Sequence, residues 1–500
     1  MSKNKKLLII GLDGVSWNVL NPMIENGHMP FLNDFIRNGK SGILKSTEPP
    51  ITPTAWTSFM TGLQPEIHGV WGFRNLRFVN GRLKYEFNDS SSIRYKNIWQ
   101  VLSKHNKKVC VINLPLTYPP FEINGIMISG FPTPAGAECK YTYPENFQGE
   151  LLKAIPDYQT INFRNWADIN NNHIETFIKA MINISSQRAY LSSYLLNREF
   201  WDIFMVHFQE TDFIQHRYWH YIDRTHRNYS EAGFNECAKY YYYLDRLLRD
   251  IVAIAGGKGY SIVLMSDHGF QRCEYQFRIN NWLFLENYLH MKKSIRNPLV
   301  NPLKKMIRML PLNLKLKFSN EETKFRFSNH FLEKIIDYDK SVLFVEANAT
   351  NVARAYFIKT DHKIRKHVIN DILRLKTPEG KKAVAEILPM PDNDNIYNIL
   401  FNNAIVPTGM IITREPLFSM PIAGKSAQIG VHHKSGIIVI DNSLKEQELP
   451  EEIHQVFHFI LKLQEIDHSF GKIFSNNPVK LLTNGEQEQI QERLRNLGYL

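Results

Sequence analysis

The chain has 500 residues, 43% of them hydrophobic and 12% aromatic, enough to bury a large core and more than the roughly 100–200 residues of one domain. Its formal charge of +11 would suit a polyanionic partner, but the basic residues are scattered and no recognition module or aromatic–basic interleaving accompanies them, which argues against a nucleic-acid reader. No apolar run reaches the ~20 residues that cross a bilayer, and Cys110, Cys139, Cys237 and Cys273 lie far apart without a CxxC, so no transmembrane segment, disulfide framework or zinc knuckle is expected.

The opening Met1-Ser2-Lys3-Asn4-Lys5-Lys6 imitates the basic head of a signal peptide. The apolar run after it is broken at Asp13 and has no small-residue cleavage site, so it reads as a first strand over 6–12 of a cytoplasmic protein. Asp13 then lies at the C-terminal end of that strand, the edge where open α/β sheets bind ligands. Asp13-Gly14 is equally an ordinary turn. Thr52-Pro53 opens a helix expected over 55–61. Threonine caps helices and proline favours their first position, so this segment is complete as structure alone. A hydroxyl there would also face the positive end of the helix, where a phosphoryl group is stabilised. Thr54 and Thr57 are rivals that spacing does not separate. A helix over 96–105 and strands over 107–113 and 125–129 follow. In 171–197, Phe177, Ile178, Met181, Ile182 and Ile184 keep a helical period.

A strand over 202–207 leads into Thr211-Asp212-Phe213-Ile214-Gln215-His216. On a helix, Asp212 and His216 share a face and can offer a carboxylate and an imidazole to one cation; the alternative is a surface pair one turn apart. His220 could extend the set, though nothing pairs with it. After a helix over 231–255 and a strand over 260–265 comes Ser266-Asp267-His268-Gly269. Adjacent residues in a strand face opposite ways, but the bend at a strand end lets Asp267 and His268 converge on one metal. The stretch from about 275 to 430 is different. It carries breaks at Asn297-Pro298, Asn301-Pro302 and Pro389-Met390-Pro391, strand-like pieces at 342–346 and 353–358, and the densest basic run, from Lys304-Lys305 through Lys324. His432-His433 then precede a strand over 436–440, and a helix over 484–497 closes the chain. The alternation predicts an α/β fold: a mostly parallel central sheet with helices on both faces. Residues 1–275 and 430–500 would form the core, and 276–429 an insertion or cap that shapes the substrate site.

Asp13, Asp212, Asp267, His216, His268 and His432 are three aspartates and three histidines, the donor set that two adjacent divalent cations need. A hydroxyl between two such cations is a nucleophile for phosphoryl transfer. A metallohydrolase is therefore the leading reading. A phosphomonoesterase or phosphotransferase on the same metal core is the nearer alternative, and a non-catalytic basic binding protein the more distant one.

These segments resemble the alkaline-phosphatase superfamily and, within it, the type I phosphodiesterase/nucleotide pyrophosphatase branch of bacteria and archaea. The likeness is carried by Gly11-Leu12-Asp13-Gly14, by Pro49-Pro50 through Thr61-Gly62 to Pro65-Glu66-Ile67-His68-Gly69, and by Val111-Ile112-Asn113-Leu114-Pro115 to Pro120. Asp212 to Trp219, Ser266-Asp267-His268-Gly269-Phe270 and the closing Leu494-Arg495-Asn496-Leu497-Gly498-Tyr499-Leu500 continue it in the family's order. The resemblance implies an alkaline-phosphatase-like fold that cleaves phosphodiester or phosphoanhydride bonds of a small phosphate ester, a nucleotide or another diester. It implies Thr52 as the nucleophile, passing through a phospho-threonine. One metal would be held by Asp13, Thr52, Asp267 and His268, and the other by Asp212, His216 and His432, with His433 as the rival for the last place. Two Zn2+ ions are the usual cofactors, with Mn2+ in relatives. Two departures matter. Relatives carry an asparagine soon after their His-Gly that helps hold the phosphoryl oxygen; Gly69-Val70-Trp71-Gly72-Phe73 offers none before Asn75, which leaves Phe73, Arg74 and Asn75 as candidate substrate contacts. Thr52-Pro53-Thr54-Ala55-Trp56 also lacks the Cys/Ser-x-Pro-x-Arg context of sulfatases.

Overall fold

A computed structural model describes residues 5–79, 82–134, 139–158, 160, 174–292, 336–347, 350–359, 361–390, 393–402, 404–408, 417–421, 429–467 and 485–490. Its centre is an eight-stranded sheet. In chain order the strands are β1 (Lys6–Leu12), β2 (Lys40–Lys45), β3 (Val109–Ile112), β4 (Gly125–Ile128), β5 (Thr142–Tyr143), β6 (Ile203–Phe208), β7 (Tyr260–Met265) and β8 (Ser435–Ile440). Across the sheet they run β2-β8-β7-β1-β6-β3-β4-β5. The block from β7 to β4 is parallel throughout. β8 runs antiparallel to β2 and β7, and β5 antiparallel to β4.

The central strands are continuous apolar runs because both their faces are covered. Alternation divides β1 between two cores: Leu8, Ile10 and Leu12 pack on one side and Leu7 and Ile9 on the other. The first side is closed by helices α1 (Trp17–Glu25), α4 (Ile174–Arg198) and α6 (Glu231–Gly257), through residues such as Val19, Met181 and Leu248. The second is closed by α2 (Thr52–Thr61), α3 (Ile98–Lys104) and α7 (Gln455–Leu463), through Trp56, Phe59, Trp99 and Phe457. Between α4 and α6 in the chain, α5 (Glu210–Ile222) leaves the end of β6 and crosses the sheet's C-terminal edge.

The six expected strands and the helices over 55–61, 96–105 and 231–255 coincide with observed elements to within a few residues at their ends. The helix expected over 171–197 is α4, with 171–173 outside the described residues. The final helix is seen over 485–490, and the rest of 484–497 lies outside them. β2 and β5 have no expected counterpart. β2 is a polar edge strand with a lysine at each end, the composition that keeps an edge from pairing with another chain.

Within the stretch expected as an insertion, strands Leu343–Ala347, Val352–Phe357, Asn393–Phe401 and Val384–Met390 form a four-stranded antiparallel sheet in that spatial order. The first two match the pieces expected at 342–346 and 353–358. Pro389-Met390, read from the sequence as a break, instead lies inside the strand Val384–Met390. That strand is at the sheet's edge, where a missing N–H removes no ladder bond. The other breaks and the basic run beginning at Lys304 lie outside the described residues. The apolar core around this sheet includes Leu76 and Leu83, from a hairpin of Arg74–Val79 and Arg82–Phe87 early in the chain. The two ends of the stretch meet in an antiparallel ribbon of Gly269–Arg272 with Gly430–His433. Among the described residues no helix is long and apolar enough to cross a membrane.

Candidate active site

Four chain segments arrive at the C-terminal edge of the parallel strands. Asp13 follows β1 directly, and its N–H donates to Phe208 at 3.0 Å, continuing the pairing with β6. Gly14 then turns the chain at φ +69°, and a Cβ there would come within 2.5 Å of Phe270; only glycine meets both demands. α5 is tied to this turn: Thr211 Oγ1 donates to the Asp13 carbonyl at 2.6 Å, and Gln215 Nε2 to the Gly14 carbonyl at 3.1 Å. The Asp267 Oδ1 accepts from the Gly14 N–H at 3.1 Å.

Thr52 was expected as the cap of its helix with Pro53 in first position. Ile51 is the cap instead, and Thr52 and Pro53 are the first two helical residues. The Thr52 hydroxyl is thereby not spent on capping. Its Oγ1 lies 3.2 Å from His268 Nε2 and 3.4 Å from Asp13 Oδ1. Of its rivals, Thr57 donates to the Pro53 carbonyl at 2.6 Å, and Thr54 Oγ1 is buried with no hydrogen-bond partner among the described residues.

The sequence-selected donors fall into two adjoining groups. His268 Nε2 lies 3.5 Å from Asp13 Oδ1 and 3.3 Å from Asp267 Oδ2. In the second group, Asp212 Oδ1 is 3.5 Å from His216 Nε2 and 3.2 Å from His432 Nε2, and the two Nε2 atoms are 2.9 Å apart. The His268 and His432 rings stack at 3.7 Å, and Asp212 has a ligand atom within 4.8 Å of those of His216 and His432 and of those of Asp13 and His268. His433 faces away from His432 along the same strand, and its Nδ1 accepts from the Ser435 N–H at 3.2 Å. His220 neighbours Tyr221 and His226 rather than these donors.

The donor set fits a pair of cations. Each of the three histidines turns Nδ1 toward a backbone carbonyl: His216 to Gly430 at 3.1 Å, His268 to Gly269 at 3.2 Å and His432 to Pro50 at 2.8 Å. With the proton held at Nδ1, the Nε2 lone pairs point inward, the arrangement that orients ligating imidazoles. Donor atoms on one tetrahedral cation with bonds of about 2.0–2.2 Å are about 3.3–3.6 Å apart, close to the separations found. Electrostatics agrees. Burial, then Asp267 and Asp212, raise Asp13 well above the usual carboxylate range. Burial raises Asp267 likewise, with Asp212 adding to it. Burial pushes His216 down to about 4 and His268 well below its ordinary value, His432 adding to the latter. Neutral imidazoles beside mutually repelling carboxylates are what a divalent cation completes.

A supporting layer has no counterpart in the sequence reading. Asp13 Oδ2 accepts from Trp56 Nε1 at 3.3 Å and lies 3.0 Å from His207 Nε2. Glu210, first in α5, is paired with the fully buried Arg188. The one available signal was Gly11, an unusual residue inside a central strand. The proposed substrate contacts have other engagements. Phe73 packs edge-on against Phe131 at 5.0 Å, Arg74 Nε lies 3.3 Å from Glu346 Oε1, and Asn75 Nδ2 donates to Asn88 Oδ1 at 3.0 Å. Arg354 sits 4.9 Å above the Trp71 ring. Arg74 and Trp71 thus join the early hairpin to the four-stranded sheet.

The family model described as type I phosphodiesterase / nucleotide pyrophosphatase matches residues 7–375. Comparison with curated protein sequences finds no match. Among solved structures, phosphonoacetate hydrolase from Sinorhizobium meliloti 1021 in complex with phosphonoacetate is similar, with 15% identity and a TM-score of 0.57 over 92% of this chain and 96% of that one. The same protein with phosphonoformate gives 16% identity and a TM-score of 0.55 over the same shares. Murine ectonucleotide pyrophosphatase / phosphodiesterase 5, an inactive variant in complex with AMP, gives 11% identity and a TM-score of 0.49 over 94% of this chain and 97% of that one.

Proposed function

Because the chain belongs to the type I phosphodiesterase / nucleotide pyrophosphatase family, a family of metal-dependent phosphohydrolases, we propose that it hydrolyses phosphodiester or phosphoanhydride bonds of a small phosphate ester through a phospho-threonine at Thr52. One observation carries this reading: a hydroxyl at the first position of a buried helix, within 3.4 Å of both an aspartate oxygen and an imidazole nitrogen. Asp13, Thr52, Asp267 and His268 would hold one divalent cation, and Asp212, His216 and His432 the other, Zn2+ first and Mn2+ as the alternative. When bound, such cations neutralise the phosphoryl oxygens and the leaving oxygen.

The chain supplies the remainder. Pro53 has no N–H, so among the described residues the Thr52 and Thr54 N–H groups are the donors left without a partner at the mouth of α2, where an anion is favoured. Thr52 Oγ1 gives up its proton to solvent and attacks phosphorus as the ester oxygen leaves from the opposite side and is protonated; water then attacks the phospho-threonine from the vacated side, and its proton restores the Thr52 hydroxyl. The stretch 276–429 shapes the substrate site, a reading supported by the contacts of Arg354 with Trp71, which follows α2, and of Glu346 with Arg74 in the early hairpin.

The test compares bis-p-nitrophenyl phosphate with p-nitrophenyl phosphate on protein of measured metal content, with Thr52→Ala beside wild type. Faster diester cleavage that needs about two cations per chain and drops about 10³-fold or more in the variant is expected. A variant with near-normal turnover would sink the nucleophile assignment and move it to Thr54. Faster monoester cleavage would replace the diesterase reading with a monoesterase on the same core.

A further inference from the structure

We propose that Trp56 and His207 are positioning residues that hold the outer oxygen of Asp13 and so set the affinity of the cation site that Asp13 helps to form; the inference rests on the two-cation reading above. Asp13 divides its oxygens. Oδ1 faces Thr52 Oγ1 at 3.4 Å and His268 Nε2 at 3.5 Å. Oδ2 turns away from them, to Trp56 Nε1 at 3.3 Å and His207 Nε2 at 3.0 Å. An indole nitrogen can only donate. A neutral imidazole against a carboxylate must also donate, so both contacts fix the same oxygen. A carboxylate held this way presents Oδ1 alone to a metal and cannot swing to chelate it with both oxygens.

Three further observations show that the pair is built into the fold. Trp56 and His207 are both fully buried, and their rings meet edge-on at 4.9 Å. Trp56 lies one turn after Thr52, on the same face of α2, so one rigid helix carries the proposed nucleophile and a donor to the carboxylate beside it. Gly11 stands opposite His207 in the pairing of β1 with β6. A Cβ at Gly11 would meet Trp56 Cη2 at 2.9 Å and His207 Cδ2 at 3.0 Å. The glycine in the middle of β1 thus leaves room for the two rings.

The experiment titrates Zn2+, in competition with a chromophoric chelator, into metal-stripped full-length wild type, Trp56→Phe, His207→Phe and His207→Gln, with thermal unfolding followed alongside. Two equivalents are expected to bind wild type. In Trp56→Phe and His207→Phe, which keep an aromatic ring but lose the donor, one equivalent should weaken about 10- to 100-fold, the usual effect of losing such a partner. The other should stay within about twofold. His207→Gln keeps a donor and should recover most of the loss, a rescue that ring packing alone does not provide. If Trp56→Phe does not fold, the contrast between the two His207 variants decides the matter. Folded Phe variants that bind both equivalents as tightly as wild type would overturn the inference and leave the two-cation reading standing. A wild type that takes up no Zn2+ would overturn that reading, and this one with it.

Discussion

At the scale of single residues, the turn after β1 leaves little freedom. Gly14 combines φ +69° with a position 2.5 Å from the Phe270 ring for any added Cβ, and the Phe270 ring lies 5.8 Å from His268 and 5.1 Å from His432. Gly14→Ala is therefore expected to cost about 1–3 kcal/mol in denaturant unfolding and to lower turnover; an unchanged midpoint and rate would refute the strain argument. His68 gives a pH prediction away from the metal ligands. Burial lowers it to about 3. Its Nδ1 accepts from the Val70 N–H at 3.1 Å, so the neutral ring donates from Nε2 to Ser58 Oγ at 2.9 Å. A histidine whose folded pKa is depressed adds stability that is complete above its unfolded value of about 6.5 and is lost as pH falls toward about 3, because the unfolded chain takes up the proton first. Unfolding free energy measured from pH 7 to 4 should fall less steeply in His68→Gln than in wild type; equal slopes would refute the assignment. The residues legible in the sequence were those beside strong apolar runs: Asp13 after β1, Asp267 and His268 after β7, and Asp212 with His216 one helical turn apart. Trp56 and His207 were not legible. Their shared partner depends on which strand lies next to β1 and on how α2 packs over that edge, and periodicity carries neither.

At the scale of elements, α5 delivers Asp212 and His216 from the end of β6, and its first residue is anchored by an ion pair out of contact with water. Arg188 and Glu210 both have no exposed side-chain surface, and Ser185 Oγ donates to Glu210 Oε2 at 3.1 Å. Breaking such a pair leaves an uncompensated buried charge, whereas replacing both members with apolar groups does not. Arg188→Met should therefore cost about 3–5 kcal/mol, and adding Glu210→Leu should restore most of it. A double variant as unstable as the single one would show that the pair stabilises beyond its own desolvation. Element positions were legible where a run is apolar throughout, as in β1, β6 and β7. They were hidden where a strand sits at an edge: β2 is lysine-flanked, β5 is two residues long, and Val384–Met390 contains a proline.

At the scale of the whole molecule, Asp13, Asp212 and Asp267 converge from points far apart in the chain, and each is fully buried. Asp267 and Asp212 repel the Asp13 carboxylate, and Asp212 repels that of Asp267, which opposes folding until positive charge is supplied. Ligands that bind only the folded state stabilise it by mass action, by about 2.7 kcal/mol at 100 times their Kd. Excess EDTA at neutral pH should thus lower Tm by several degrees, and added Zn2+ should restore it; a Tm indifferent to both would exclude stabilisation by metal. The α/β architecture was legible from the alternation of elements. The packing of Leu76 and Leu83 against a sheet more than 250 residues later was not, because a short hairpin does not announce its tertiary partner. The ribbon of Gly269–Arg272 with Gly430–His433 has a consequence for how such a protein can diversify. It clamps both ends of everything between them, and the closure entropy of the enclosed chain grows by only about 0.6 kcal/mol for each doubling of its length. A new specificity could be spliced in at this clamp, long or short, while the histidine on its returning strand keeps its seat.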